Sequence, residues 1–200
     1  MGESGKKLDE KAFDVLFRDA RTYNGWLDQP VSDETIKAAY DLAKWGPTSA
    51  NCSPMRFVVV RSKEAKEKLK PHMDKGNLEK TMAAPATILF AYDFKFYENL
   101  PKLFPHTDAK SWFVGKPDYI KESAWRNGTL QAAYFMLAAR SMGLDCGPMS
   151  GFKKAGVRQA FFPGSETIEV NFLCNIGYGD PASLHARGPR FEFDESCAIV

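Results

Sequence analysis

The segment SAWRNGTLQAAYFMLAARSMGL, residues 123–144, is rich in good helix formers and apolar on nearly every side. A helix dry all round must run through the centre of a core or be shared between subunits. That requirement constrains the chain more than any other stretch, because the remaining elements must cover it. With 200 residues the chain suits one domain, residues 1–200, and a chain of this size buries roughly 70% of its unfolded surface without covalent staples.

Three β-rich apolar runs can supply the cover: RFVVVRS at 56–62, ATILFAYD at 86–93 and EVNFLCNIGYG at 169–179. Each is expected to be a largely buried strand. Phe13, Leu16, Phe17 and Ala20 recur at helical spacing, predicting a helix over 8–20 with Asp9 serving its first turn. A second helix is predicted after QPVSD, with Ser32 as N-cap, Asp33 and Glu34 at its positive end, and Ile36, Ala39, Tyr40 and Ala43 on one face. Gly46-Pro47 ends it. KEAKEKLK reads as a mixed-sign, solvated helix face. The stretch 94–120 is aromatic, broken by prolines and without clear period, which suits a mobile flap more than a core element.

Several chemistries are set aside. The net charge of +2, with Lys and Arg spread along the chain, implies no nucleic-acid partner, and no apolar run approaches a membrane span. The N-terminal stretch lacks a secretory centre and reads as a frayed tail; Gly2 with Ser4 and Lys6 only loosely matches a myristoylation pattern. Cys52, Cys146, Cys174 and Cys197 show neither Cys-x-x-Cys spacing nor His partners, so a reducing cytoplasmic setting is expected, with no zinc site and no disulfide framework. Gly177-Tyr178-Gly179 is followed by Asp180-Pro181 rather than a helix, so it is not a dinucleotide fingerprint. GPMSGF lacks the spacing of a serine nucleophile elbow, and His72, His106 and His185 stand alone. Dispersed donors remain: Arg21-Thr22, GPTSANCSP, Asn77 and Lys80, GPMSGF and HARGPR.

In that order and spacing, ARTYNGWLDQPVSDETI, GPTSANCSPMRFVVV, GLDCGPMSGF and NIGYGDP resemble the flavin-dependent nitroreductase family along nearly the whole chain. DARTYNGW, KWGPTSANCSP, LFPHTDAKSWF and AFFPGS are similar to its malonic semialdehyde reductase branch, the enzymes of the pyrimidine-degrading Rut pathway. The resemblance implies an α+β fold: a mostly antiparallel central sheet surrounded by helices, in an intertwined homodimer with FMN at the interface. It implies NAD(P)H as a transient hydride donor, a small-molecule acceptor, and reduction of malonic semialdehyde to 3-hydroxypropionate. A broader nitroaromatic, quinone or enone reductase is the alternative, and a flavin-binding protein without turnover a third.

By the same resemblance, Arg21, Thr22 and Arg187 serve the phosphate or ribityl end of FMN. Pro47, Thr48, Ser49 and Asn51 reach a flavin bound mainly by the partner subunit. Asn77 and Lys80 match positions near the ring, and Pro148, Met149, Ser150 and Gly151 form the turn that lies against it. In the aromatic stretch, Trp112 and Phe113 have two readings: a cover over the open flavin face that excludes water, or buried aromatics packing a loop. This chain departs from the pattern at three positions: His185 stands where many relatives carry Lys, Ala20 where many carry Arg, and Asn24 where relatives carry a basic residue near the ring.

Overall fold

The computed structural model describes residues 5–200. Gly2 and Ser4 of the loose acylation pattern lie outside the described residues. The first helix, α1, spans Glu10–Phe13; Asp9 caps it by accepting from the Ala12 N–H at 2.7 Å, and a π-helical turn, Asp14–Arg18, continues it. The helix predicted over 8–20 is therefore present but shorter and partly rewound. Helix α2 spans Asp33–Ala43, and its Ser32 cap accepts from the Thr35 N–H at 3.1 Å, as the sequence predicts.

Strand β1 (Met55–Val60) leads into helices α3 (Lys63–Leu69) and α4 (Lys75–Ala83), then strand β2 (Ala86–Asp93). The short helix α5 (Leu100–Leu103) and the long α6 (Pro117–Ser141) follow. Strand β3 (Asp145–Met149), helix α7 (Lys154–Phe161), strand β4 (Ile168–Gly177) and a final turn of helix, α8 (Phe193–Ser196), complete the chain. The sheet order is β1-β2-β4-β3 with every neighbour antiparallel, in an α+β arrangement.

Alternation along β2 decides which helix covers which face. Ile88 and Phe90 point to α6 and α2, where they meet Ala132, Phe135 and Ile36; the Phe90 and Phe135 rings lie edge to face at 5.5 Å. Leu89 points the other way, into a cluster with Val60, Leu69, Leu173 and Val157 from β1, α3, β4 and α7.

Three expectations are corrected. Helix α6 is not dry all round within one chain: it buries Ala124, Asn127, Gln131, Phe135 and Ala139 but exposes Trp125, Leu130 and Tyr134. The stretch 94–120 is not a loose flap. Phe96, Leu100, Ala109 and Phe113 are essentially fully buried and form a third cluster with Cys52, Tyr92 and Ala124, held by short helical turns that leave no long periodicity to read. Pro148 and Met149, predicted as part of a turn, are the end of β3, opposite Cys174 and Leu173. Among the described residues no disulfide forms, no cluster suited to a metal occurs, and no helix is long and apolar enough to cross a membrane.

Candidate functional site

The strip after α1 is laid along the free edge of β3. Thr22 bridges Cys146, the Tyr23 N–H donates to the Cys146 carbonyl at 3.2 Å, and Trp26 bridges Gly179. This anchoring fixes where Arg21 and Asn24 stand. The C-terminal stretch then crosses back over the strip. The Arg21 guanidinium donates to the His185 carbonyl at 2.5 Å, and Arg187 donates to the carbonyls of Arg18 at 2.5 Å and Ala20 at 3.2 Å.

Between strip and crossing segment lies a cavity of about 540 Å³ lined by Arg21, Thr22, Asn24, Arg140, His185, Arg187 and Arg190, with Ala20 and Phe17. None of the four arginines has a carboxylate within ion-pair distance among the described residues. Four guanidiniums line one hollow, with only Arg140 sensing a nearby carboxylate, that of Asp145, and such a set suits an anion. Sequence reasoning missed Arg140 and did not single out Arg190. Arg140 closes the last turn of α6, where it reads as a dipole-complementing residue, and it donates to the Leu16 carbonyl at 3.2 Å.

Helix α4 forms the second wall. Lys80 Nζ donates to Asn24 Oδ1 at 3.3 Å, tying the helix to the strip. Asn77 Nδ2 donates to the Gly151 carbonyl at 2.9 Å, and the Asp74 N–H reaches the same oxygen at 3.2 Å. The Gly151 N–H has no acceptor among the described residues. A Cβ at Gly151 would sit 2.5 Å from Asn77 Nδ2, so the glycine is what allows this close approach. Ser150 is exposed beside it, whereas Met149 is buried and accepts from Thr81 Oγ1 at 3.3 Å, shaping the turn rather than facing outward.

The loop Pro47–Asn51 does not join this group in one chain. It enters β1 at one edge of the sheet while the Ser150–Gly151 turn leaves β3 at the other, three inter-strand spacings or roughly 14 Å across. Its polar groups are partly spent within the same chain: Thr48 Oγ1 accepts from the Ser53 N–H at 3.2 Å, Asn127 Oδ1 of α6 accepts from the Ser49 N–H at 2.9 Å, and Asn51 donates to the Leu103 carbonyl of α5 at 2.8 Å. Pro47, Ser49 and Asn51 nonetheless keep an exposed outer side. Trp112 lies on the same side, exposed and 6.2 Å from the Phe104 ring. Phe113 is a correction: at 2% exposure it is core, stacked on Tyr119, and does not cover an open face.

Residues 18–178 match the sequence model of the nitroreductase family. The chain belongs to the nitroreductase family. Solved structures of similar fold include one described as a nitroreductase in complex with FMN from Exiguobacterium sibiricum 255-15, at 20% identity and a TM-score of 0.83 over 99% of this chain and 100% of that one. CLA-ER, an enone reductase of gut-bacterial fatty acid saturation, superposes at 18% identity and a TM-score of 0.83 over 97% of this chain and 100% of its own. An NAD(P)H:FMN oxidoreductase from Staphylococcus epidermidis ATCC 12228 does so at 19% identity and a TM-score of 0.82 over the whole of both chains. At such identities these likenesses carry the nitroreductase fold and nothing finer.

Proposed function

We infer that this nitroreductase-family chain is an FMN-dependent oxidoreductase that draws on NAD(P)H and reduces a small acceptor. One observation carries the reading: a hollow of four arginines with no carboxylate at ion-pair distance among the described residues is joined, through Asn24 to Lys80 and through Asn77 of the same helix, to a glycine turn whose N–H has no acceptor. That donor set fits FMN, an anionic phosphate at one end and a flat polar-edged ring at the other. FMN, when bound, supplies a ring that takes up a hydride and gives it back.

The chain's own groups would hold and orient it. Arg21 and Arg187, with Arg140 and Arg190 behind them, would take the phosphate by charge-assisted hydrogen bonds. Thr22 stands beside them for the polyol. Lys80 would face the negative charge that reduction places on the ring, and the Gly151 N–H would donate to its reacting edge. Positioning accounts for the site's work, and no nucleophile or triad is required. Pro47, Thr48, Ser49 and Asn51 would come from a second copy of the chain, because their own copy holds them at the opposite sheet edge. Trp112 on that loop's side would cover the acceptor.

For the acceptor we take malonic semialdehyde, reduced to 3-hydroxypropionate; the motifs DARTYNGW, LFPHTDAKSWF and AFFPGS support that branch of the family. Absorbance of the purified protein tests the reading. The preparation is expected to be yellow, to bleach with NAD(P)H and to recolour on adding malonic semialdehyde. Recolouring with quinones, enones or nitroaromatics but not with the aldehyde would mark a broad reductase instead. A yellow protein that no acceptor recolours would be a flavin binder without turnover. Protein that takes up no FMN at all would overturn the reading.

A further inference from the structure

Lys66 belongs to none of the groups described so far, and its surroundings are unusual for a lysine. It sits mid-way along α3 with only 5% of its surface exposed, although lysines are almost never fully buried without a counter-charge. Among the described residues no carboxylate meets it. The groups that α4, β2 and β4 turn toward it are Thr81, Thr87 and Asn175, all uncharged. Burial in these surroundings pushes its ammonium pKa down to about 8.

Its partners lead directly to the candidate site. Lys66 Nζ donates to the Thr81 carbonyl at 2.6 Å and to Thr87 Oγ1 at 2.8 Å. Thr87 Oγ1 donates to Asn175 Oδ1 at 2.7 Å, and Asn175 Nδ2 donates onward to the Lys80 carbonyl at 3.2 Å and to Thr81 Oγ1 at 3.4 Å. Thr81 Oγ1 in turn donates to Met149 Sδ at 3.3 Å. Donors and acceptors alternate without conflict along this buried relay. Because α4 ends at Ala83, the carbonyls of Lys80 and Thr81 are among the last four, which the helix cannot satisfy itself. A cation at that end also meets the negative pole of the helix.

Stability alone is a poor reason for such a residue. An apolar side chain of similar volume is often as good or better than a buried charge. What the charge achieves here is geometric: it fastens the end of the helix that carries Asn77 and Lys80 to the strands beneath it. We propose that Lys66 is a positioning residue for the flavin site, clamping α4 so that Lys80 stays aligned with Asn24. The proposal rests on the reading of that site as an FMN site.

The test is a double-mutant cycle on FMN binding by the apoprotein, followed by flavin fluorescence, with Lys66→Met, Lys80→Met and the double variant. Each single change is expected to weaken FMN binding about tenfold, the loss of one charged hydrogen bond. The double variant should bind no more weakly than Lys80→Met, because Lys66 acts through that residue. Bound flavin should show the same displaced visible band in both single variants. Affinity within about twofold of wild type in Lys66→Met, losses that multiply in the double variant, or an effect at Lys66 with none at Lys80 would each overturn the proposal. Should Lys66→Met fail to fold, Thr87→Val removes only the hydroxyl between Lys66 and Asn175 and takes its place in the cycle, with the same outcomes expected. Wild-type protein that binds no FMN would sink the underlying reading, and this one with it.

Discussion

At the scale of single residues, the site depends on which charges are left uncompensated. Arg187 spends one guanidinium nitrogen on the carbonyls of Arg18 and Ala20 and has no carboxylate partner. Its side chain lies at the surface, so Arg187→Ala should leave the fold intact. It should weaken FMN retention by about 1.5–3 kcal/mol, roughly ten- to a hundredfold. Unchanged flavin content and affinity after gel filtration would remove Arg187 from the anion site. Lys66 behaves in the opposite sense, as a charge the fold tolerates at a cost. Its folded pKa of about 8 lies below the ordinary 10.5. Below pH 8 both folded and unfolded chains hold the proton and this residue adds no pH dependence. Between about 8 and 10.5 the unfolded chain holds it while the folded chain releases it, so stability rises with pH. The gain approaches the order of 3 kcal/mol by pH 10.5. Urea unfolding of the apoprotein from pH 7 to 10 should show this rise relative to Lys66→Met; parallel pH profiles of the two proteins would contradict it.

At the scale of elements, α6 shows how a helix can position a loop far from its own ends. Asn127 and Gln131, one turn apart on its buried face, accept from the Ser49 and Met55 N–H groups, each at 2.9 Å, and so fasten both ends of the loop before β1. Asn127→Leu should strand the Ser49 N–H and cost about 1–3 kcal/mol, lowering the melting temperature by several degrees. Thermal unfolding by circular dichroism checks this; an unchanged midpoint would mean the loop is held without Asn127. The elements legible in the sequence are those whose signals are local. Ser32 and the apolar face of α2 announce that helix, and unbroken β-rich residues announce β2 to the residue. Strand β3 was hidden because Gly147 and Pro148 argue against a strand, and Pro is tolerated there only because β3 is an edge, a fact of tertiary structure. The burial of Phe96, Leu100 and Phe113 was equally illegible, since short turns leave no period. Lys66 shares a helix face with Leu69, three residues on, but a solvated charge is the ordinary reading of such a pattern. Arg21, Asn24 and Arg187 line one hollow and Lys80 bonds Asn24, whereas Arg140 could be placed there only by the fold.

At the scale of the whole molecule, the two groups of site residues lie at opposite sheet edges, and the face of α6 away from the core exposes Trp125, Leu130 and Tyr134. In the dimer proposed above, a second copy covers this face and lends Pro47–Asn51 to its partner's flavin site. A dimer is therefore the expected solution state, and a well-folded monomer in sedimentation at working concentrations would contradict it. Strand β4 ends at Gly177 and is followed by the short turn Pro181–Ser183, while the Gly179 N–H is already taken by Asp145 Oδ2 at 2.9 Å. That stretch offers no helix N-terminus to hold a dinucleotide. If NAD(P)H and the acceptor use one open face in turn, double-reciprocal rate plots at several acceptor concentrations should be parallel, and excess acceptor should compete with NAD(P)H. Enzyme bleached with NAD(P)H and then freed of nucleotide should still convert malonic semialdehyde, once per site. Intersecting lines, with aldehyde reduced only while nucleotide stays bound, would mean that both substrates are held together and that the hydride passes directly between them.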